Sequence, residues 1–185
     1  MTTTQARYSA LSDHFGAVVD TMPAAAWDAP SACEDWTGRQ VVEHVMDTTR
    51  DFLARQGLDV GSRPDTADPV AAWHAHDAAV RALVADEAVA SREYSSYFGP
   101  TTIGETLVGF YGFDLIVHRW DLAQAGGLDE RFTDEEMDTL ERSIEGFGEH
   151  LYDEGVCRPA VQVPDGVDRQ ARLLGRLGRR ASVTA

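Results

Sequence analysis

Apolar residues recur along the chain at the spacing of an α-helix in several separate stretches. In the first stretch Tyr8, Leu11, Phe15 and Val19 follow this spacing, and Pro23 ends it. The pattern therefore predicts a mainly helical protein. The predicted helices cover residues 5–22, 37–57, 68–86, 102–125 and 133–150, with a short basic helix at 169–177.

Three of these helices begin with the sequence of a capping box. Thr37, Thr102 and Thr133 are each followed three positions later by Gln or Glu. In this motif the threonine side chain accepts a hydrogen bond from the third backbone amide, and the Gln or Glu side chain accepts one from the threonine amide. The motifs place the helix starts at residues 37, 102 and 133.

The segments between and after the helices have a different composition. Residues 88–100 end in an aromatic stretch followed by a Gly-Pro turn signal, which predicts one strand or a short hairpin: Tyr94, Tyr97, Phe98, Gly99 and Pro100. The tail carries prolines and then five arginines between Arg169 and Arg180. We predict a helical domain over 1–150 and an extension over 151–185 that packs on it through these charges.

Two polar residues interrupt the most apolar helix. Asp114 and His118 are four positions apart, so both lie on one face of it. A carboxylate and an imidazole in apolar surroundings cost several kcal/mol, on the order of 2–7, unless they are paired or bound to something. His44, on the apolar face of the second helix, is the candidate third ligand. Two imidazoles and a carboxylate suit Zn(II), Ni(II), Fe(II), Mn(II) or Co(II) and leave coordination positions open.

The other histidines have simpler interpretations. His14 adjoins the apolar stripe of the first helix and is expected at its surface. His74 and His76 are two positions apart and cannot bind one ion together from a helix. We expect this pair on a solvated helix face.

The connection over residues 23–36 concentrates Trp27, Cys33 and Trp36 in a short stretch. The tryptophans either close the end of the helical core or form the wall of a pocket. Cys33 precedes a helix N-terminus, which lowers the pKa of a thiol. A packing role for Cys33 is the favoured interpretation, and a nucleophile is the alternative.

Charge and composition limit the classes of partner. The chain has 31 acidic and 16 basic residues, a formal net charge of −15, which argues against nucleic acid and anionic membranes. No apolar run approaches the ~20 residues of a membrane span, and the N-terminus lacks a signal-peptide pattern. Two cysteines do not make a disulfide scaffold, so we expect a reducing cytoplasm. The expected partner is a small-molecule substrate, for a monomer or homodimer.

Two segments carry a family resemblance. Residues 33–37 (CEDWT) and 114–123 (DLIVHRWDLA) resemble the actinobacterial metal-binding proteins related to the N-terminal domain of mycothiol-dependent maleylpyruvate isomerase. These proteins belong to the DinB/YfiT-like superfamily. The segment Val163–Asp165 is similar to the end of this family, and the resemblance covers about residues 5–178.

The resemblance implies an all-α DinB-like four-helix bundle, up-down-down-up, with a divalent metal near one end. His44 and His118 match the family's histidines. Asp114 stands where the isomerase has Glu and other members have His, so the ligand is one methylene shorter. The chain is too short for the isomerase's whole C-terminal domain, which argues against maleylpyruvate isomerisation itself.

The function implied is a metal-dependent enzyme that uses a low-molecular-weight thiol, mycothiol or a similar one, in S-transfer or isomerisation. A metal-dependent hydrolase or biosynthetic tailoring enzyme without a thiol, and a non-catalytic metal-binding bundle protein, are the alternatives. Asp121 and Glu43 are candidate partners of the metal-binding histidines. A basic cluster formed by Arg39, Arg50 and Arg119 would favour a thiol adduct that carries carboxylates.

Overall fold

Helices make up most of the protein in the computed structural model, which describes residues 3–33, 35–153 and 155–180. The mainly helical prediction is confirmed. Glu34, part of the CEDWT segment, lies outside the described residues. The helices are α1 (Thr3–Thr21), α2 (Gly38–Arg55), α3 (Pro69–Val84), α4 (Glu87–Ala90), α5 (Ile103–Ala125), α6 (Asp134–Phe147) and α7 (Arg169–Arg176), with 3-10 turns at Ala24–Asp28 and Gly148–Tyr152.

The capping residues begin the helices where the sequence places them. Thr37 and Thr133 form complete capping boxes. Thr102 accepts from the backbone amide of Glu105, but no reciprocal bond completes that box. The Glu105 carboxylate instead accepts from the Arg7 guanidinium, 2.6 Å away, so an ion pair with α1 takes the place of the predicted bond.

The segment before α5 forms the short hairpin that was one of the two predicted forms. Strand β1 (Glu93–Ser96) pairs antiparallel with β2 (Gly99–Thr102), with Glu93 opposite Thr102. The hairpin leads directly into the first turn of α5. The tip residues Tyr97 and Phe98 are exposed.

The first compact unit, Met1–Asp129, is built around α5. Helices α1 and α2 each contact both α3 and α5. Nearly all of α5 from Tyr111 to Ala123 is buried because neighbours cover it, whereas Phe110, just before this stretch, is 41% exposed. Among the described residues, no helix is long and apolar enough to cross a membrane.

The second compact unit, Glu130–Ala185, contains α6 and α7. These two helices contact each other, and Arg169 on α7 binds Asp138 and Glu141 on α6, each at 2.6 Å. The boundary between the two compact units lies between residues 129 and 130, before α6, whereas the sequence analysis predicted a boundary after residue 150. Packing of residues 151–185 on the first unit stays a prediction.

His76 corrects a sequence expectation. His74 is exposed and pairs with Asp20, but His76 is buried, with 1% of its surface exposed, so the pair does not share a solvated face. Its Nδ1 has no hydrogen-bond partner. The pKa of His76 is lowered from 6.5 to about 4, first by burial and then by the charge of Arg50, while Asp47 opposes the shift.

This buried imidazole makes stability depend on pH. Its pKa is lower in the folded than in the unfolded chain, so its neutral form stabilises the fold above pH 6.5, and this contribution is lost as the pH falls towards 4. Between about pH 7.5 and about pH 4.5 the loss is on the order of 2–3 kcal/mol. We expect the free energy of unfolding of the His76→Gln variant, measured with urea at both pH values, to fall less than that of the unaltered protein by this amount. His74→Gln is the control, and an equal reduction in both variants would contradict the assignment to His76.

Candidate metal centre

The three predicted ligands meet where α2 contacts α5. Ligand atoms of His44, Asp114 and His118 all lie within 4.8 Å of one another. His44 Nε2 is 3.7 Å from Asp114 Oδ2. His44 and Asp114 are half-buried, with side chains 26% and 22% exposed, while His118 is buried. The arrangement can hold one divalent ion with a side open to solvent. Metal binding itself stays a prediction.

A buried carboxylate orients His118. Asp121 Oδ2 lies 2.9 Å from His118 Nδ1, one turn along α5, and the side chain of Asp121 is fully buried. An ionised carboxylate only accepts hydrogen bonds, so Nδ1 carries the proton and donates it. The lone pair is then on Nε2, which is the nitrogen available to a metal bound by His44, Asp114 and His118. This is the arrangement in which a carboxylate fixes a metal-binding histidine.

Glu43, the other candidate partner of the histidines, is engaged elsewhere. Its carboxylate accepts a 2.5 Å hydrogen bond from the Thr66 hydroxyl. Glu43 precedes His44 on α2, and neighbouring helix residues point in different directions. Of the two candidates, Asp121 is therefore the one that the structure places against a ligand histidine.

The two tryptophans of the 23–36 connection have different roles. Trp27 is buried in the core, as the packing interpretation predicts. Trp36 instead covers the candidate ligands, with its ring centroid 4.5 Å from that of His44 and 5.7 Å from that of His118. Trp36 therefore forms an aromatic wall that limits the positions of both imidazoles.

Cys33 also lies beside the centre, which the sequence did not reveal. Its sulfur, a His118 ring nitrogen and an Asp121 carboxylate oxygen all lie within 4.8 Å of one another. The contact depends on a loop that touches α5, where the Ala32 amide donates to the Asp121 carbonyl at 3.4 Å. The only sequence signal was the position of Cys33 just before α2, and that signal does not specify which helix the loop contacts.

The three candidate arginines have different surroundings. Arg39 donates to Asp28 and to the Thr66 carbonyl. Arg50 donates to the Gly61 carbonyl. The remaining candidate, Arg119, is buried, with 2% of its surface exposed.

Tyr111 supplies a neutral phenol one turn before Asp114. Burial raises the pKa of Tyr111, Arg55 opposes this, and the Asp114 carboxylate raises the pKa further. The hydroxyl therefore remains protonated at neutral pH. The side-chain hydrogen bond of Tyr111 is with Arg55, and Asp114 acts on the phenol through its charge.

A family profile matches residues 8–123, a range that contains all three candidate ligands. Its description is the mycothiol maleylpyruvate isomerase N-terminal domain. The chain belongs to this family. The resemblance read from residues 33–37 and 114–123 is thereby confirmed.

Two relatives from Mycobacterium tuberculosis, the uncharacterized proteins Rv0738 and MT0763, are each 28% identical over 177 residues. Each alignment covers 90% of this chain and 94% of the relative. No solved structure gives a significant match.

The role of Asp121 can be tested without a metal. At about pH 8, long-range ¹⁵N–¹H spectra of the metal-free protein should show His118 protonated at Nδ1. The Asp121→Ala substitution should remove this preference, because no carboxylate is then present to accept a hydrogen bond from Nδ1. The matched control is Asp153→Ala, which removes the exposed His150–Asp153 pair of the same spacing and 2.9 Å length. His118 protonated at Nε2 in the unaltered protein would contradict the assignment.

Proposed function

We propose that the protein is a divalent-metal-dependent enzyme that acts with a low-molecular-weight thiol, mycothiol or a similar one, in S-transfer or isomerisation. The observation that carries the proposal is the convergence of two histidines and a carboxylate in a domain of the mycothiol maleylpyruvate isomerase family. The family supplies the association with mycothiol, and the side chains supply the ligand set.

The architecture within this proposal is a DinB-like four-helix bundle made of α1, α2, α3 and α5. Contacts of α1 and α2 with both α3 and α5 support it. Each pair of neighbours then buries its apolar faces, and the ligands come from two adjacent helices. Such a bundle brings distant polar residues into one core while the backbone hydrogen bonds remain within the helices.

The candidate ligands fit a resident metal ion. Two imidazoles and one carboxylate leave coordination positions open, which a catalytic centre requires. A bound divalent ion would stabilise a thiolate and polarise a substrate carbonyl. Asp114 has a shorter side chain than glutamate, so it holds the carboxylate closer to the α5 backbone. Zn, Ni, Fe, Mn and Co all remain candidates.

The surrounding residues would prepare the centre for a small-molecule substrate. Asp121 holds the His118 ring in one orientation. Trp36 covers one side of both imidazoles and would exclude water there. Tyr111 offers a neutral hydroxyl group near Asp114. These groups orient the ligands and limit the shape of the substrate.

One observation favours the thiol-free alternative, a metal-dependent hydrolase or biosynthetic tailoring enzyme. Arg39 and Arg50 donate to carbonyls and to Asp28, so part of their donor capacity is already used within the protein. A carboxylate-bearing thiol adduct would need other donors. The thiol experiment below therefore decides between these two functions.

Metal binding is the first prediction of the proposed function. Elemental analysis after reconstitution should give one divalent ion per chain. In Cys33→Ser protein, where no thiolate can hold the ion instead, His44→Ala or His118→Ala should weaken binding at least about 100-fold, more than loss of an outer-shell partner usually does. His74→Ala, which removes an exposed imidazole on α3, should retain the ion. Absence of stoichiometric metal from the unaltered protein under every loading condition would refute the proposal.

Thiol binding is the second prediction. Cys33→Ser protein loaded with Co(II) should develop sulfur-to-cobalt charge-transfer absorption when mycothiol is added, because an open position accepts a thiolate. The substitution ensures that the signal comes from the added thiol. The same protein carrying His44→Ala should not respond. A metal-loaded protein that gives no response to mycothiol would favour the thiol-free enzyme instead.

A further inference from the structure

Cys33, His118 and Asp121 form a second group of metal-ligating side chains in the first unit. Their ligand atoms lie within 4.8 Å of one another, as do those of His44, Asp114 and His118. His118 belongs to both groups. The second group differs in chemistry because it contains a thiol, and it is more buried, since the Asp121 side chain is fully buried and Cys33 is half-buried.

The loop holds the backbone of Cys33 in place. The Ser31 hydroxyl accepts from the Cys33 amide at 3.2 Å and donates to the Cys33 carbonyl at 3.1 Å. The Trp36 amide donates to the same carbonyl at 3.1 Å. Asp35 adopts a left-handed conformation, with φ of 73°, that closes the turn. The thiol is therefore presented from a closed turn, which lowers the entropic cost of ligation.

The hydrogen bond with Asp121 is the basis for assigning the two nitrogens of the His118 imidazole to the two groups. His118 Nδ1 is 2.9 Å from Asp121, which places this nitrogen on the side of the second group. Nε2 remains for His44 and Asp114. A neutral imidazole has only one nitrogen with a free lone pair. An ion at Nδ1 requires the proton to move to Nε2, so an ion in one group excludes an ion in the other.

We propose that Cys33, His118 Nδ1 and Asp121 form a second metal site, selective for thiophilic ions such as Zn(II) or Cd(II), that competes with the first site for His118. One thiolate, one carboxylate and one neutral imidazole carry two negative charges, which balance a divalent ion in a buried position. Binding releases the thiol proton of Cys33 and moves the imidazole proton to Nε2. Thiolate ligands select soft ions, whereas the first group suits borderline and hard ones. The second site does not require that the proposed function be correct.

A cadmium titration of the metal-free protein tests the proposal. A sulfur-to-cadmium charge-transfer absorption should appear in the unaltered protein with one ion bound per absorbing site. Cys33→Ser should lose the absorption, and Cys157→Ser, the matched control in the second unit, should keep it. His44→Ala removes the first group only and should also keep it. Circular dichroism of each variant verifies that the fold is retained.

A second readout leaves Cys33 itself unaltered. In Cys157→Ser protein, Cd(II) should slow alkylation of Cys33 by iodoacetamide by about tenfold or more, because a coordinated thiolate is protected. Mn(II), a harder ion, should protect far less.

Several outcomes would overturn the second site. Absorption that survives Cys33→Ser or disappears in Cys157→Ser would assign the thiolate to another residue. Absorption that disappears in His44→Ala would make Cys33 a ligand of the first site and not of a separate one. Absence of any charge-transfer absorption, or of protection from alkylation, in cadmium-treated protein would show that the group does not bind a thiophilic ion. If only the first site fails to bind metal, the proposed function fails but the second site does not. The absorption in His44→Ala would then be unchanged.

Discussion

The buried carboxylate of Asp121 is the constraint on which the centre depends. A carboxylate without solvent contact is costly unless hydrogen bonds satisfy it, and one of its partners is His118 on the next turn of the same helix. That bond fixes which nitrogen of His118 carries the proton. It also holds the imidazole at the junction of α2 and α5, where the ligand atoms of His44 and Asp114 lie within 4.8 Å of it. Because both residues belong to α5 and are three positions apart, the helix itself brings their side chains together.

The loop before α2 gives this helix pair a chemistry that the helices lack on their own. Trp36 places an aromatic ring against both imidazoles, and Cys33 places a sulfur near the Asp121 side. The loop is short and internally hydrogen-bonded, so its groups are held in position before any ligand arrives. Family membership and the two ligand groups therefore point to one region of the first unit.

The local signals in the sequence were reliable where they involved neighbouring residues. Thr37 and Thr133 began their helices as predicted because a capping box is completed within four residues. The box at Thr102 failed in part because Arg7, distant in sequence, binds the Glu105 carboxylate. His76 was misplaced for a similar reason. Its spacing from His74 shows that the two point in different directions, but only the packing of α3 determines which direction is buried.

The sequence by itself determined the helical class, the helix starts, the family and the three residues that converge on the candidate centre. It could do so because the i, i+4 spacing of Asp114 and His118 is a local property of any helix, and the motif segments identify the family. The tertiary structure alone decided that Asp121 and not Glu43 faces a ligand histidine, that Trp36 covers the imidazoles, and that Cys33 reaches His118. The contacts of Trp36 and Cys33 with His118 join a loop to a helix about 80 positions later in the chain, whereas the Asp121 bond lies within α5 itself. No local spacing encodes such a contact, because it depends on how the helices pack.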